Sequence, residues 1–106
     1  MKLKPGASLR GVQWQMFDAA VIAEPIFVAA GQEFVITSGS DGQHLDKKNI
    51  HGRGLALDCR TRDLKNLSTV TAVADLVRRA LNPAYDVVVE KDHVHIEYDP
   101  KLGEGI

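Results

Sequence analysis

The sequence predicts an α+β domain in which a small, mainly antiparallel sheet packs against two helices. Two stretches, residues 12–30 and 69–81, repeat apolar side chains at helical spacing. Two short runs, 85–90 and 93–98, read as strands joined by only two residues, the length of a hairpin turn. Two further short runs read as strands apart from both helices: 34–37, which is β-branched and aromatic, and 55–60, which follows a polar loop. A chain of 106 residues has the size of one ordinary domain, so the expectation is a single domain over residues 1–106 with any site built on one core.

After a polar lead-in, the first helix carries Met16, Phe17, Ala20, Val21, Phe27 and Val28 as an apolar stripe, with Gly31 as its stop. Pro25 removes a backbone donor and is expected to kink or divide this helix near Ala23. Trp14, Phe17 and Phe27 are most simply core residues. The strand at 34–37 ends in Ser38-Gly39-Ser40-Asp41-Gly42, which is turn chemistry. Residues 43–54 are polar and glycine-bearing, a surface loop leading into the strand at 55–60. In the second helix Val70, Val73, Ala74, Val77 and Leu81 share a face, Ser68 is the expected N-cap, and Pro83 follows the end. The tail from Pro100 onward is expected to be loose.

Composition excludes several function classes. With 13 basic against 14 acidic residues, spread along the chain, there is no basic footprint for nucleic acid. One cysteine, Cys59, excludes an internal disulfide and gives no thiolate metal site; its apolar neighbours suggest a buried strand thiol. No apolar stretch near the N-terminus is long enough for an export signal or a membrane span, so the expectation is synthesis in the cytoplasm without a signal peptide.

Two segments carry the chemistry. In His51-Gly-Arg-Gly54-Leu-Ala56-Leu-Asp58, an imidazole in a loop precedes a carboxylate in a strand. The glycines suit a chain that turns from loop into strand beside a close neighbour. Alternation sets Ala56 and Asp58 on one face and Leu55, Leu57 and Cys59 on the other. In Asp92-His93-Val94-His95-Ile96-Glu97, alternation turns His93, His95 and Glu97 one way and Val94 and Ile96 the other. Histidines two apart on a strand are about 6.6 Å apart along it, so either or both can approach one ion.

His-x-x-Gly-x-Ala-x-Asp followed by Asp-x-x-His, with a second His inside, resembles the metal signature of the D-Ala-D-Ala metallopeptidase family. That family includes phage L-alanyl-D-glutamate endopeptidases and shares its fold with the hedgehog signalling domain. Val35-Ile36-Thr37-Ser38-Gly39 resembles the family's strand ahead of the first ligand, so the similarity spans about residues 12 to 99. The resemblance implies a hedgehog/DD-peptidase-like fold and Zn²⁺ held by His51, Asp58 and His95. It makes Asp92 the catalytic base, with Glu90 the competitor, and His93 a residue that steadies the transition state. Two imidazoles and a carboxylate leave zinc an open fourth position, the catalytic rather than the structural arrangement. The implied substrate is the stem peptide of peptidoglycan, cut as a D,D-carboxypeptidase or an L-Ala-D-Glu endopeptidase. The implied place of action is the bacterial wall, after release or as part of a phage particle.

One departure stands out. Relatives usually carry Arg two residues after the Ser-Gly, where it can bind a substrate carboxylate or carbonyl, and this chain has Asp41 there. Arg53, Arg60, Arg62 or His44 takes over the role, or the substrate differs, or activity is reduced. The competing function is a zinc-stabilised, catalytically silent binding module of the same fold. Ligation by both His93 and His95 would close the tetrahedron and favour that reading.

Overall fold

The computed structural model describes residues 1–41 and 53–101. Within them the elements run β1 (Lys2–Leu3), α1 (Trp14–Ala29), β2 (Val35–Ser38), β3 (Ala56–Arg60), α2 (Leu67–Ala80), β4 (Tyr85–Val89) and β5 (His93–Tyr98). The five strands form one open sheet in the order β1-β2-β3-β5-β4. Only β1 and β2 run parallel; every other pair is antiparallel. The α+β class, the mainly antiparallel sheet and the two helices thus stand as the sequence predicts. β1 was not anticipated. Two residues have no readable period, and this strand exists through its pairing with β2, where Lys2 N donates to Phe34 O and Lys4 N to Ile36 O, each at 2.9 Å.

Both helices cover one face of the sheet. α2 is amphipathic and buries Val70, Val73, Ala74 and Val77, while Arg78 and Arg79 sit in its last turn, where cations suit the helix dipole. Its N-cap is Asn66 rather than Ser68: the Asn66 side chain accepts from Thr69 N at 2.9 Å, and Ser68 donates its hydroxyl to the same oxygen. α1 buries Met16, Ala19, Ala20, Ala23 and Phe27, and Gly31, at φ 99°, follows its end as expected.

Of the two outcomes expected of Pro25, a kink or a division, division does not occur, and part of the expected apolar stripe of α1 is not core. Pro25 does not divide the helix, which runs unbroken through it. The carbonyl that Pro25 leaves without a donor belongs to Val21, and both residues face solvent, where water can satisfy it. Trp14, Phe17, Val21 and Val28 are not core but exposed, Trp14 at 67%. α1 is apolar on nearly every side, so its sequence carries no phase to say which side is buried.

The core lies between the helices and the covered sheet face. Phe27 and Phe34 meet edge to face with ring centres 5.3 Å apart, and Leu57, Cys59, Val87, Val94 and Ile96 close the floor. Each fully buried aliphatic side chain there is worth roughly 1.5–3 kcal/mol. Tyr85 and Tyr98, partners across β4 and β5, pack at the edge of this layer, and the Tyr85 hydroxyl donates to Gln15 O at 2.7 Å, tying sheet to α1.

Two glycines let the N-terminal segment lie against the sheet. Gly54 has φ 74°, and a Cβ on it would come within 2.2 Å of Gly11 O. Gln13 N donates to Gly54 O at 2.9 Å, which fixes the entry to α1. The close neighbour that the motif glycine requires is therefore the chain's own backbone. A Cβ on Gly39 would likewise meet Ser8 O at 2.2 Å.

Candidate metal centre

Alternation along β3 and β5 sorts their side chains cleanly. Leu57, Cys59, Val94 and Ile96 go under the helices, and Asp58, Arg60, His93, His95 and Glu97 stand on the opposite face. The register then pairs them across the strands: Asp58 opposite His95, Arg60 opposite His93, Ala56 opposite Glu97. A one-residue slip would send every one of these groups into the core, so the buried aliphatics of the other face fix the site's geometry.

Asp58 and His95 meet directly, with Asp58 Oδ1 and His95 Nδ1 2.9 Å apart. The other ring nitrogen, Nε2, lies 2.9 Å from Glu97 Oε1. His95 thus bridges two carboxylates on one sheet face. Asp58 is 6% exposed, which an ionised carboxylate tolerates only with partners. Burial opposes a charge on His95, but its hydrogen bonds to Asp58 and Glu97 and the charge of both outweigh that, and its pKa stands above the ordinary imidazole value.

The second imidazole reaches the same carboxylate less closely: His93 Nε2 is 3.6 Å from Asp58 Oδ1. Its Nδ1 is 2.7 Å from Asp92 Oδ1, at the hairpin tip. That hydrogen bond from His93 holds the exposed Asp92 carboxyl below its usual value, with the imidazole charge adding to it. The tip is the two-residue turn expected, since Glu90 N donates to His93 O at 2.9 Å on either side of Lys91-Asp92. Glu90 is exposed and borders a recess with Arg62 and Asp92.

Of the expected ligands, Asp58 and His95 are brought into contact, and Asp92 and His93 lie on the same hairpin beside them. His51 and His44 fall outside the described residues. Among the described residues no group of three or more His, Cys, Asp and Glu side chains meets closely enough to hold an ion. The pair that is present is hydrogen-bonded. Ligands of one tetrahedral zinc stand roughly 3.3 Å apart, a few tenths beyond the Asp58–His95 separation. An imidazole that ligates zinc generally gives its second nitrogen to a carboxylate, and the second nitrogen of His95 lies 2.9 Å from Glu97 Oε1. The contact of Glu97 with His95 was not anticipated; its place on the same face in the alternation was the signal.

Asp41, which replaces the expected Arg, has a structural task. Its Oδ1 accepts from Gly39 N at 2.8 Å and from Ser8 N at 2.9 Å, joining the turn after β2 to the N-terminal segment. Cys59 is fully buried under the helices, as its neighbours suggested, and burial pushes its thiol pKa far up, so it takes no part in the site. No helix among the described residues is long and apolar enough to cross a membrane. The chain matches no family model, no curated protein and no solved structure.

Proposed function

We propose that this chain is a zinc-dependent peptidase of the peptidoglycan stem peptide, of the D,D-carboxypeptidase or L-Ala-D-Glu endopeptidase type. The fold would be hedgehog/DD-peptidase-like, with His51, Asp58 and His95 holding the metal. The observation that supports the reading is the imidazole of His95 set between two carboxylates, of which Asp58 would share the ion with it and Glu97 would orient it. Zinc held there would supply Lewis acidity toward a scissile carbonyl.

The chain's own groups have separable tasks. Asp58 contributes the negative ligand from the rigid central strand, and Glu97 fixes the His95 ring and its tautomer. Asp92, ionised at neutral pH and open to water, would take a proton at its carboxylate and return it to a leaving amine. His93 holds Asp92 by one nitrogen and presents the other toward the Asp58 side of the site, where it can donate to a developing oxyanion.

The test is incubation of purified peptidoglycan with zinc-loaded and chelator-treated protein, followed by mass spectrometry of the fragments. Metal-dependent release of D-Ala, or cleavage after L-Ala, supports the reading; intact stems in both arms refute it. Asp92→Asn should keep zinc and lose hydrolysis, and unchanged turnover would remove Asp92 from the mechanism.

A second reading has one observation in its favour. Both imidazoles reach the same Asp58 oxygen, at 2.9 and 3.6 Å, and ligation by both would close the coordination sphere. The chain would then be a zinc-stabilised binding module. Stoichiometric zinc binding that raises the melting temperature, without hydrolysis of any stem peptide, would favour it.

A further inference from the structure

A recess of about 400 Å³ is lined by Lys4, Thr37, Arg60, Arg62, Asp92 and His93, and His93, whose Nε2 is 3.6 Å from Asp58 Oδ1, connects it to the site. Its charge is lopsided for a chain of formal net charge −1, with three fixed cations against one carboxylate. That carboxylate, Asp92, is already engaged by His93 at 2.7 Å. Lys4, Arg60 and Arg62 have no ion-pair partner among the described residues. The cations come from separate places: Lys4 just beyond β1, Arg60 at the end of β3 opposite His93, and Arg62 in the turn that follows. They converge because β1, β2 and β3 are adjacent in the sheet, not because they cluster in sequence.

A concave wall of one sign focuses its field and concentrates ligands of the other sign, and guanidinium groups are shaped to grip a carboxylate by two parallel hydrogen bonds. We propose that this recess receives a carboxylate of the peptide bound at the neighbouring site, so that the chain selects acidic over amidated peptides. The proposal rests on reading the neighbouring site as a peptidase centre and names the substrate feature it recognises.

The test is calorimetric titration of the full chain, metal-free and zinc-loaded, with N-acetyl-L-alanyl-D-glutamate and with its uncharged counterpart N-acetyl-L-alanyl-D-glutamine amide. The acidic peptide should bind about tenfold or more tightly than the amide, as charge-assisted hydrogen bonds require. The preference should shrink toward parity in Arg60→Gln and Arg62→Gln, survive in part in Arg60→Lys, and weaken with added salt. Lys4→Met, at an exposed position, serves as a variant that leaves the packed strands untouched. Equal affinity for the two peptides, or a preference that all the variants retain, overturns the proposal. Inorganic phosphate binding as tightly as the acidic peptide overturns it too, because the recess would then be a simple anion site. Selective binding with no cleavage of stems would sink the peptidase reading and leave the recess standing; cleavage of acidic and amidated stems alike, bound equally well, would do the reverse.

Discussion

Glu97→Gln separates a metal-orienting role for Glu97 from a merely structural one. The change keeps the shape of the side chain and removes its charge 2.9 Å from His95 Nε2. Carboxylates that orient a ligating imidazole are worth about 10–100-fold in metal affinity, or roughly 1.4–2.7 kcal/mol at 1.36 kcal/mol per tenfold. Folding stability should move far less. Glu97 loses its pairing with His95, but it also stands opposite Asp86 across β4 and β5, and neutralising one of two facing carboxylates relieves their repulsion. These contributions oppose each other, each of order 1 kcal/mol or below, so the net change should stay within about 1 kcal/mol. The assay is competition for zinc against a calibrated chelator, with urea denaturation of the metal-free protein as the control. A Glu97→Gln variant that binds zinc as tightly as the parent, or a parent that binds none, would refute the reasoning. Affinity and stability falling together would assign Glu97 to the fold instead.

Further outcomes follow from the same structure. Gly54→Ala places a Cβ within 2.2 Å of Gly11 O at a φ of 74°, so it should destabilise by at least about 2 kcal/mol, a fall in melting temperature of roughly 8 °C or more read by calorimetry. Cys59, fully buried with its thiol pKa raised, should be silent to a thiol reagent in the native protein and react once urea unfolds it. In the metal-free protein His95 should titrate by NMR above 6.5, because its folded-state pKa is raised. Its contribution to stability is accordingly complete below the unfolded-state pKa and disappears as pH rises through the folded one, so urea midpoints should fall across that window and fall less in His95→Gln.

Much of the site was legible because strands have a period of two. The alternation in Asp92-His93-Val94-His95-Ile96-Glu97 and in Ala56-Leu57-Asp58-Cys59 was enough to say which residues share a face, and the register bears it out. What local pattern could not supply was anything settled by distant contacts. Asp41 looked like a lost substrate residue until Ser8, 33 positions away, proved to be its hydrogen-bond partner. Trp14 and Phe17 were misplaced because a helix with apolar residues on nearly every side offers no clear polar face to set its rotation. Asn66 and Ser68 are both good capping residues two positions apart, and only geometry chooses between them. The convergence of Lys4, Arg60 and Arg62 followed from β1, a strand too short to announce itself.

The position of β3 as the middle strand of five has a consequence for how the molecule opens. Asp58 lies on a strand laddered on both sides, to Ser38 and to His95, whereas Asp92 sits on an outward turn. Amide exchange with solvent in the middle of such a sheet requires the whole sheet to come apart, while a hairpin tip frays at little cost. The carboxylate expected to grip an ion therefore belongs to the last part of the protein to let go, and the one expected to shuttle protons belongs to one of the first.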